Sequence, residues 1–228
     1  MKPKEALHRI KNNATRACAP LLFISILAAT GCFTNPTQHE YITIGAIFPL
    51  TGDFSVESIS MANSIHIAKE EINESGGVLG KKLDLIILNG RGDPDFALQQ
   101  YETLKEKGAT AIICSIHSSV GDVVVGVAVK DGMPVVAPLA IANKGAASDH
   151  GSVFYLPHLS SDNQNRLASQ FKGKYYSRFY KEPPPIAIVA YISARMLSEA
   201  IKKAGSTNND DIIAAIRANK PGTGKTEL

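Results

Sequence analysis

Short apolar runs alternate along this chain with longer stretches in which apolar residues return every three or four positions. Tyr41 to Phe48, YITIGAIF, reads as a buried strand, and Pro49-Leu50-Thr51-Gly52 breaks it. The spacing then predicts a helix from about Ser55 to Glu74, with Met61, Ile65, Ala68 and Ile72 on one face and Gly76-Gly77 ending it. Leu83 to Leu88 is the second predicted strand. Asp93 before Pro94 has the pattern of an N-cap with proline at the first helical position. A helix is therefore predicted over Asp95 to Lys107, with Ala97, Tyr101 and Leu104 inward. A third strand at Thr110 to Cys114 follows, then a helix capped by Ser118 and Ser119 and running to about Lys130. A fourth strand at Met133 to Ala137 and a fifth at Val153 to Leu156 continue the alternation.

Strand and helix in such short succession predict right-handed βαβ units and a parallel sheet. The expected fold class is α/β, a doubly wound parallel sheet of flavodoxin-like strand order. Beyond Leu156 the pattern turns helical. Residues 162–181 carry Leu167, Phe171, Tyr175 and Phe179 four apart, and Pro183-Pro184-Pro185 interrupts. Ile186 to Ala204 is a strongly apolar helix closed by Gly205. A last amphipathic helix, begun by Ser206 to Asn209, places Ile212, Ile213 and Ile216 inside.

The N-terminus has another character. Residues 1–18 are polar and basic, and residues 19–29, APLLFISILAA, form an apolar run of 11. A mature span of about 30 Å of hydrocarbon needs roughly 20 residues, so the run fits the core of a secretory signal instead. Ala29-Thr30-Gly31-Cys32 follows directly and resembles a bacterial lipobox, in which the chain is cut before the cysteine and the cysteine carries lipid. The expectation is a signal peptide over 1–31, a lipidated Cys32, and a polar tether through residue 41.

Charge sharpens this picture. The chain of 228 residues has 24 basic and 21 acidic side chains, but Lys2, Lys4, Arg9, Lys11 and Arg16 face only Glu5 within the first 31. Setting those aside leaves 19 basic against 20 acidic, a near-neutral body without a basic run, which argues against nucleic acid as a partner. Cys18, Cys32 and Cys114 have no metal-binding or CxxC spacing, so no metal and no cofactor is expected. Cys114 lies in an apolar strand and reads as an inert packed thiol. His66 and His158 read as surface residues.

Three segments imitate chemistry. Pro221-Gly222-Thr223-Gly224-Lys225-Thr226 looks like a phosphate loop, but Asn219 stands where the first glycine belongs and no strand precedes it. Arg91-Gly92-Asp93 spells an adhesion tripeptide, yet Asp93 is better explained as a helix cap. His117 beside Ser118 suggests a hydrolase pair, but adjacent residues rarely align as base and nucleophile, and no strained G-x-S-x-G turn surrounds them. The chain is expected not to be an enzyme.

Several segments in order resemble one family. They are ITIGAIFPLTG, IAKEEINESGGVLGKKLDLII, GDPDFALQQYETL, ATAIICSIHSS, MPVVAPLAIAN and VFYLPHLSSDNQ, followed by YSRFYKEPPPIAIVAYISARMLSEAIKKAGSTNNDDIIAAIRA. They are similar to the periplasmic leucine/isoleucine/valine-binding proteins, the substrate-binding proteins of ABC importers, over about residues 42–165 and 172–218. In that family a large segment builds most of a second lobe between the helix near Gln164 and the helix near Tyr176; here the two sides meet near Phe171. The resemblance therefore implies a type I periplasmic-binding-protein lobe over 42–165, a helical segment over 166–218 that completes it, a short tail over 219–228, and most of the second lobe missing.

The resemblance also implies a site. Ligands of open α/β sheets lie beyond the carboxyl ends of the strands. Thr51 to Glu57, with Phe54 and Ser55, would form one loop of it. Ser118 and Ser119 would offer hydroxyls and helix-terminal N–H groups to a carboxylate. Ala140 would offer its carbonyl to an ammonium group, beside Ile141, where relatives usually carry Ser or Thr. Glu57 and Ser58 replace an aromatic-Gly pair. The expected function is an exported, membrane-anchored lipoprotein, periplasmic or on the cell surface. It would bind a branched-chain amino acid or similar small polar solute by lobe closure for a membrane permease. The alternatives are a non-binding remnant lipoprotein and a sensory ligand-binding domain of the same fold.

Overall fold

The computed structural model describes residues 41–114, 119–138, 151–156 and 162–218. Eleven elements follow in order: β1 (Tyr41–Phe48), α1 (Ser55–Glu74), β2 (Lys82–Asn89), α2 (Pro94–Glu106), β3 (Ala109–Cys114), α3 (Ser119–Asp131), β4 (Val135–Pro138), β5 (Val153–Leu156), α4 (Asp162–Phe179), α5 (Pro185–Ala204) and α6 (Asn209–Ala218). The five strands form one sheet in the order β2-β1-β3-β4-β5, and every pairing is parallel. This is the flavodoxin-like order the alternation predicts.

A parallel sheet must be covered on both faces. From β1, Ile42, Ile44, Ala46 and Phe48 enter one core with α1, α4, α5 and α6. Ile47 enters the other with Tyr101 and Leu104 of α2 and Val120 and Val124 of α3. The period-2 alternation of a strand decides which side chain goes where. Gly45 lies on the second face, where a Cβ would come within 2.6 Å of Leu104 Cδ1, so α2 presses directly on β1.

The second half of the chain completes the first core. Fourteen of the 20 residues of α5 are buried, which explains its apolar run as a core helix. No helix among the described residues is long and apolar enough to cross a membrane. Phe171 of α4 stacks on Tyr191 of α5 at 4.5 Å between ring centroids, with Tyr175 and Phe179 continuing the cluster. On α1 and α5 the buried polar residues are Ser58, Ser60, Ser64, Ser193 and Ser198. Four of these hydroxyls, all but that of Ser58, donate to the carbonyl four residues back in their own helix.

Element ends match or depart from the expected limits for identifiable reasons. The first helix stops at Glu74, and Gly76 and Gly77 follow it. Gly77 N–H bonds Ile72 O at 2.8 Å and Gly76 N–H bonds Asn73 O at 3.2 Å, the paired bonds of a Schellman stop. The chain then turns through Leu79 (φ +50°) and Gly80 (φ +75°), closing Val78 onto Lys81. Asn73 locks the result by bonding both backbone groups of Leu83. The fourth strand begins at Val135, not Met133, because Met133 N–H is taken by Ala128 O at 2.9 Å in the stop of α3. The fourth helix ends at Phe179, two residues short of the expected limit, with Tyr180 in a left-handed conformation. Asp93 caps α2 as read, accepting from Asp95 N and Phe96 N at 2.9 and 3.1 Å.

Ion pairs tie neighbouring helices and strands at the surface. Lys69–Asp84 (2.8 Å) joins α1 to β2, Lys105–Asp131 (2.5 Å) joins α2 to α3, and Arg178–Glu70 (2.5 Å) joins α4 to α1. The cation beside each carboxyl group, through its hydrogen bond, holds Asp84, Asp131 and Glu70 below their ordinary values.

Two tests follow. The three depressed carboxyl groups take protons more readily in the unfolded chain. Their stabilisation is present above the ordinary carboxylate range and is lost as pH falls through the folded values. Urea midpoints should drop over that acidic window, and a Lys69→Met/Lys105→Met/Arg178→Met protein should show a shallower drop; an unchanged slope rejects the assignment. A Cβ on Gly77, at φ +76°, would lie 2.0 Å from Lys81 O, whereas a Cβ on Gly80 meets nothing within 4 Å. Gly77→Ala should cost about 2–3 kcal/mol and Gly80→Ala about 1 kcal/mol in the same denaturation assay.

Candidate functional site

The winding of the sheet creates the candidate site. The chain leaves β1 at Phe48, β3 at Cys114 and β4 at Pro138, and parallel pairing puts all three exits at one rim. Strands β1 and β3 are neighbours, with Ile47 opposite Cys114, yet the connections after them diverge to opposite faces of the sheet. That divergence opens a crevice at the rim, the place where open α/β sheets hold ligands.

The first wall of the crevice is the turn after β1. Leu50 N–H bonds Phe48 O and Asn89 Oδ1, each at 2.9 Å. Asn89 also accepts from Arg91 N at 2.9 Å and donates to Thr51 Oγ1 at 3.2 Å. One side chain at the end of β2 thus holds the loops after both β1 and β2. Gly90 N–H adds a bond to Phe48 O at 2.8 Å. Gly90 sits in a tight place, since a Cβ there would lie 3.2 Å from both Ile47 Cγ2 and Val120 Cγ1. The first turn of α3 therefore packs directly behind the same loops. Arg91 lies over the Phe96 ring at 4.2 Å, which settles this cation on its own helix start. Asn89 was not singled out in the sequence; an Asn-Gly pair after a strand signals a turn but not the several bonds this side chain makes.

The predicted site residues distribute unevenly. Phe54 is the N-cap of α1, 45% exposed, and makes no side-chain capping bond to the helix. Ser55 is the first helical residue and half-buried. Glu57 is exposed in the first turn of α1. Ser58 is fully buried, and its hydroxyl finds no partner among the described residues. Ser119 opens α3, and its side chain lies outside the described residues, as do Ser118, Ala140, Ile141 and Cys32. His117, His158 and residues 219–228 also lie outside them. His66 is exposed, as expected.

The rim has the electrostatics of two helix starts. Helices α1 and α3 both begin there, and their unsatisfied N–H groups favour an anionic group. Glu57 and Asp122 in their first turns oppose a second negative charge. Cys114, at the end of β3, is fully buried, and that burial pushes its thiol up to about 12. It is therefore a packing group at neutral pH. No cluster of His, Cys, Asp and Glu among the described residues has the geometry to hold a metal ion.

The strongest polar cluster lies at the opposite end of the lobe. Glu71 accepts from Lys174 at 2.6 Å, from Tyr191 Oη at 2.5 Å and from Arg195 at 3.5 Å. A shallow cleft of about 270 Å³ runs beside it between α1 and α4, lined by Glu70, Glu74, Lys174 and Arg178. Its charges are largely paired with one another, so it ties α4 down and offers a solute little.

Comparison with known proteins agrees with this geometry. A sequence profile described as periplasmic binding protein matches residues 41–162. The Leu/Ile/Val-binding protein BraC3 of Rhizobium johnstonii is 32% identical over 107 residues, covering 47% of this chain but 29% of that protein. The chain thus matches under a third of that relative's length. Among solved structures, the substrate-binding protein LivJ of Streptococcus pneumoniae, in complex with isoleucine, superposes with a TM-score of 0.63 at 14% identity, covering 79% of this chain and 88% of that one. A fatty acid ABC transporter substrate-binding protein from Thermomonospora curvata gives 0.59 at 15% identity, covering 81% and 83%. At such identities the structures establish the fold alone. With the profile spanning more than half of its residues, and with five parallel strands wound as its sheet requires, the chain belongs to the periplasmic binding protein family.

Proposed function

We propose that this protein is an extracytoplasmic solute-binding lipoprotein of an ABC importer, anchored through Cys32 and receiving a small polar solute at the strand-exit rim. The observation that carries the reading is the convergence of the β1, β3 and β4 exits on one crevice in a chain of this family. The solute is a branched-chain amino acid or a close analogue. Similarity to the Leu/Ile/Val-binding protein BraC3 supports that class, although structural neighbours also include a fatty acid binder. Ser118 and Ser119 receive the carboxylate at the start of α3, Ala140 and Ile141 line the ammonium side, and Phe54 and Ser55 form the wall after β1. The protein hands its solute to a membrane permease. It performs no covalent chemistry.

A second reading has its own observation. The described strands build one sheet, and α4 begins at Asp162, six residues beyond the end of β5, so a single wall is present among the described residues. Under that reading the protein is a lipoprotein that no longer captures solute.

Titration calorimetry against leucine, isoleucine and valine separates the two. Saturable heat with at least one of them supports capture; flat titrations with all three, on protein that melts cooperatively, reject a branched-chain solute and favour the second reading. Asn89 gives a sharper test of the site. Asn89→Ala leaves Leu50 N–H and Arg91 N–H without its carbonyl oxygen and should cost about 1–3 kcal/mol. If the rim binds solute, the variant should also weaken it, while Asp84→Asn, on the same strand away from the rim, should not.

A further inference from the structure

The end of the lobe opposite the rim carries a surface that neither the core nor the solute site uses. Parallel pairing opens the sheet there, with Tyr41 beside Lys82 in register. Helices α1, α2 and α3 all finish at that end. The Lys174–Glu71 and Arg178–Glu70 pairs bring the last turns of α4 to it.

On α4, Phe171 and Tyr175 face inward, while Lys172 and Tyr176 lie four residues apart on an exposed stripe that Tyr180 continues just past the helix end. Tyr176 is 53% exposed, Tyr180 84% and Tyr41 46%. Tyr180 holds φ +56°, a position that helix ends usually give to Gly or Asn, and its N–H closes on Tyr176 O at 2.8 Å. The fold thus accepts an unfavourable backbone conformation while leaving a large ring almost wholly in solvent.

Charge follows the same division. Lys69, Lys105, Lys174 and Arg178 are all in ion pairs. Lys82, Lys107, Lys130, Lys172 and Lys181 are exposed at this end and form no ion pair among the described residues, and they outnumber the exposed, unpaired Glu74, Glu106 and Glu182. At the rim the exposed charges are mainly acidic: Asp53, Glu57, Asp95 and Asp122. The lobe is therefore polarised, with a basic, tyrosine-bearing end and an acidic one.

Amphipathic rings flanked by lysines suit the headgroup layer of a bilayer, where the ring body meets acyl chains and the polar tip stays wet. An anionic leaflet attracts lysines that come within a Debye length of it. We propose that this end of the lobe docks on an anionic phospholipid surface, with Tyr176 and Tyr180 seated among headgroups and Lys172 and Lys181 on their phosphates. The rim then points away from the bilayer. The docking surface does not depend on lipidation.

The test uses the full chain with Cys32→Ser, so that no acyl chain contributes. This protein should co-sediment with phosphatidylglycerol–phosphatidylcholine vesicles several-fold more than with phosphatidylcholine alone, and added salt should release it. Adding Lys172→Glu, Tyr176→Ser and Tyr180→Ser, all on the exposed stripe, should abolish most of that difference with an unchanged thermal melt. Should the triple variant fail to fold, protection of residues 172–182 from hydrogen exchange on adding vesicles to the Cys32→Ser protein decides instead. Equal binding by parent and folded variant overturns the proposal, as does no added protection. Concentration-dependent dimerisation lost in the variant, without vesicle binding, assigns the surface to a second copy and also overturns it. Solute titration is a separate readout, so failure of this docking leaves the solute-binding reading intact.

Discussion

Parallel strands cannot be joined by a tight turn, because the chain must travel back across the sheet before it can run in the same direction again. That constraint shapes this molecule. It places helices on both faces, makes β1 apolar on both sides, and collects every strand exit at one rim and every strand entry at the other. A solute crevice follows when the connections after β1 and β3 take opposite faces. The helices at the C-terminal end of the chain add no strand. They complete the cover over β1, β3 and β4, and α5 is buried nearly all round because it lies between the sheet, α1, α4 and α6.

How much of this was legible in the sequence depends on whether the deciding interaction is local. The first and fifth strands match their expected limits, since unbroken apolar runs bounded by turn residues encode them directly. The Asp93-Pro94 cap was readable because its bonds reach only two and three residues ahead. The inward faces of α1, α2 and α6 were readable from periodicity alone. The start of β4 was not, because Met133 is apolar enough for a strand, and only the backbone bond to Ala128 commits it to the preceding helix stop. Asn89 was missed for the same kind of reason, since its partners Leu50 and Thr51 are 39 and 38 residues away. Of the named site residues, Phe54 and Ser55 are described at the rim, while Ser118, Ala140, Ile141 and the Ser119 side chain fall outside the described residues.

Two buried serines, one in α1 and one in α5, show how small local differences become energetic ones. Ser198 sits deep in α5, and its hydroxyl is satisfied by Ala194 O at 2.9 Å, so its burial is close to neutral. Ser58 sits one turn into α1, equally buried, with no partner among the described residues. An orphaned hydroxyl costs about 1–3 kcal/mol. It stands where the resembled family usually has glycine, beside the loop that Asn89 holds in place. The loop is thus held from the β2 side by Asn89, while on the α1 side the Ser58 hydroxyl has no partner among the described residues.

The single wall among the described residues limits what solute binding at the rim can achieve. Micromolar binding needs about 8 kcal/mol. A charge-assisted hydrogen bond contributes roughly 1.5–3 kcal/mol when the partners are withdrawn from water, but exposed charge pairs contribute only about 0–1 kcal/mol. Three or four contacts on an open rim therefore fall well short, whereas the same contacts in a closed crevice reach the required range. The acidic first turns at Glu57 and Asp122 push further in the same direction, since they offset part of the attraction that the helix starts offer a carboxylate. Tight capture by this rim depends less on the identity of its hydroxyls than on whatever excludes water from the opposite side.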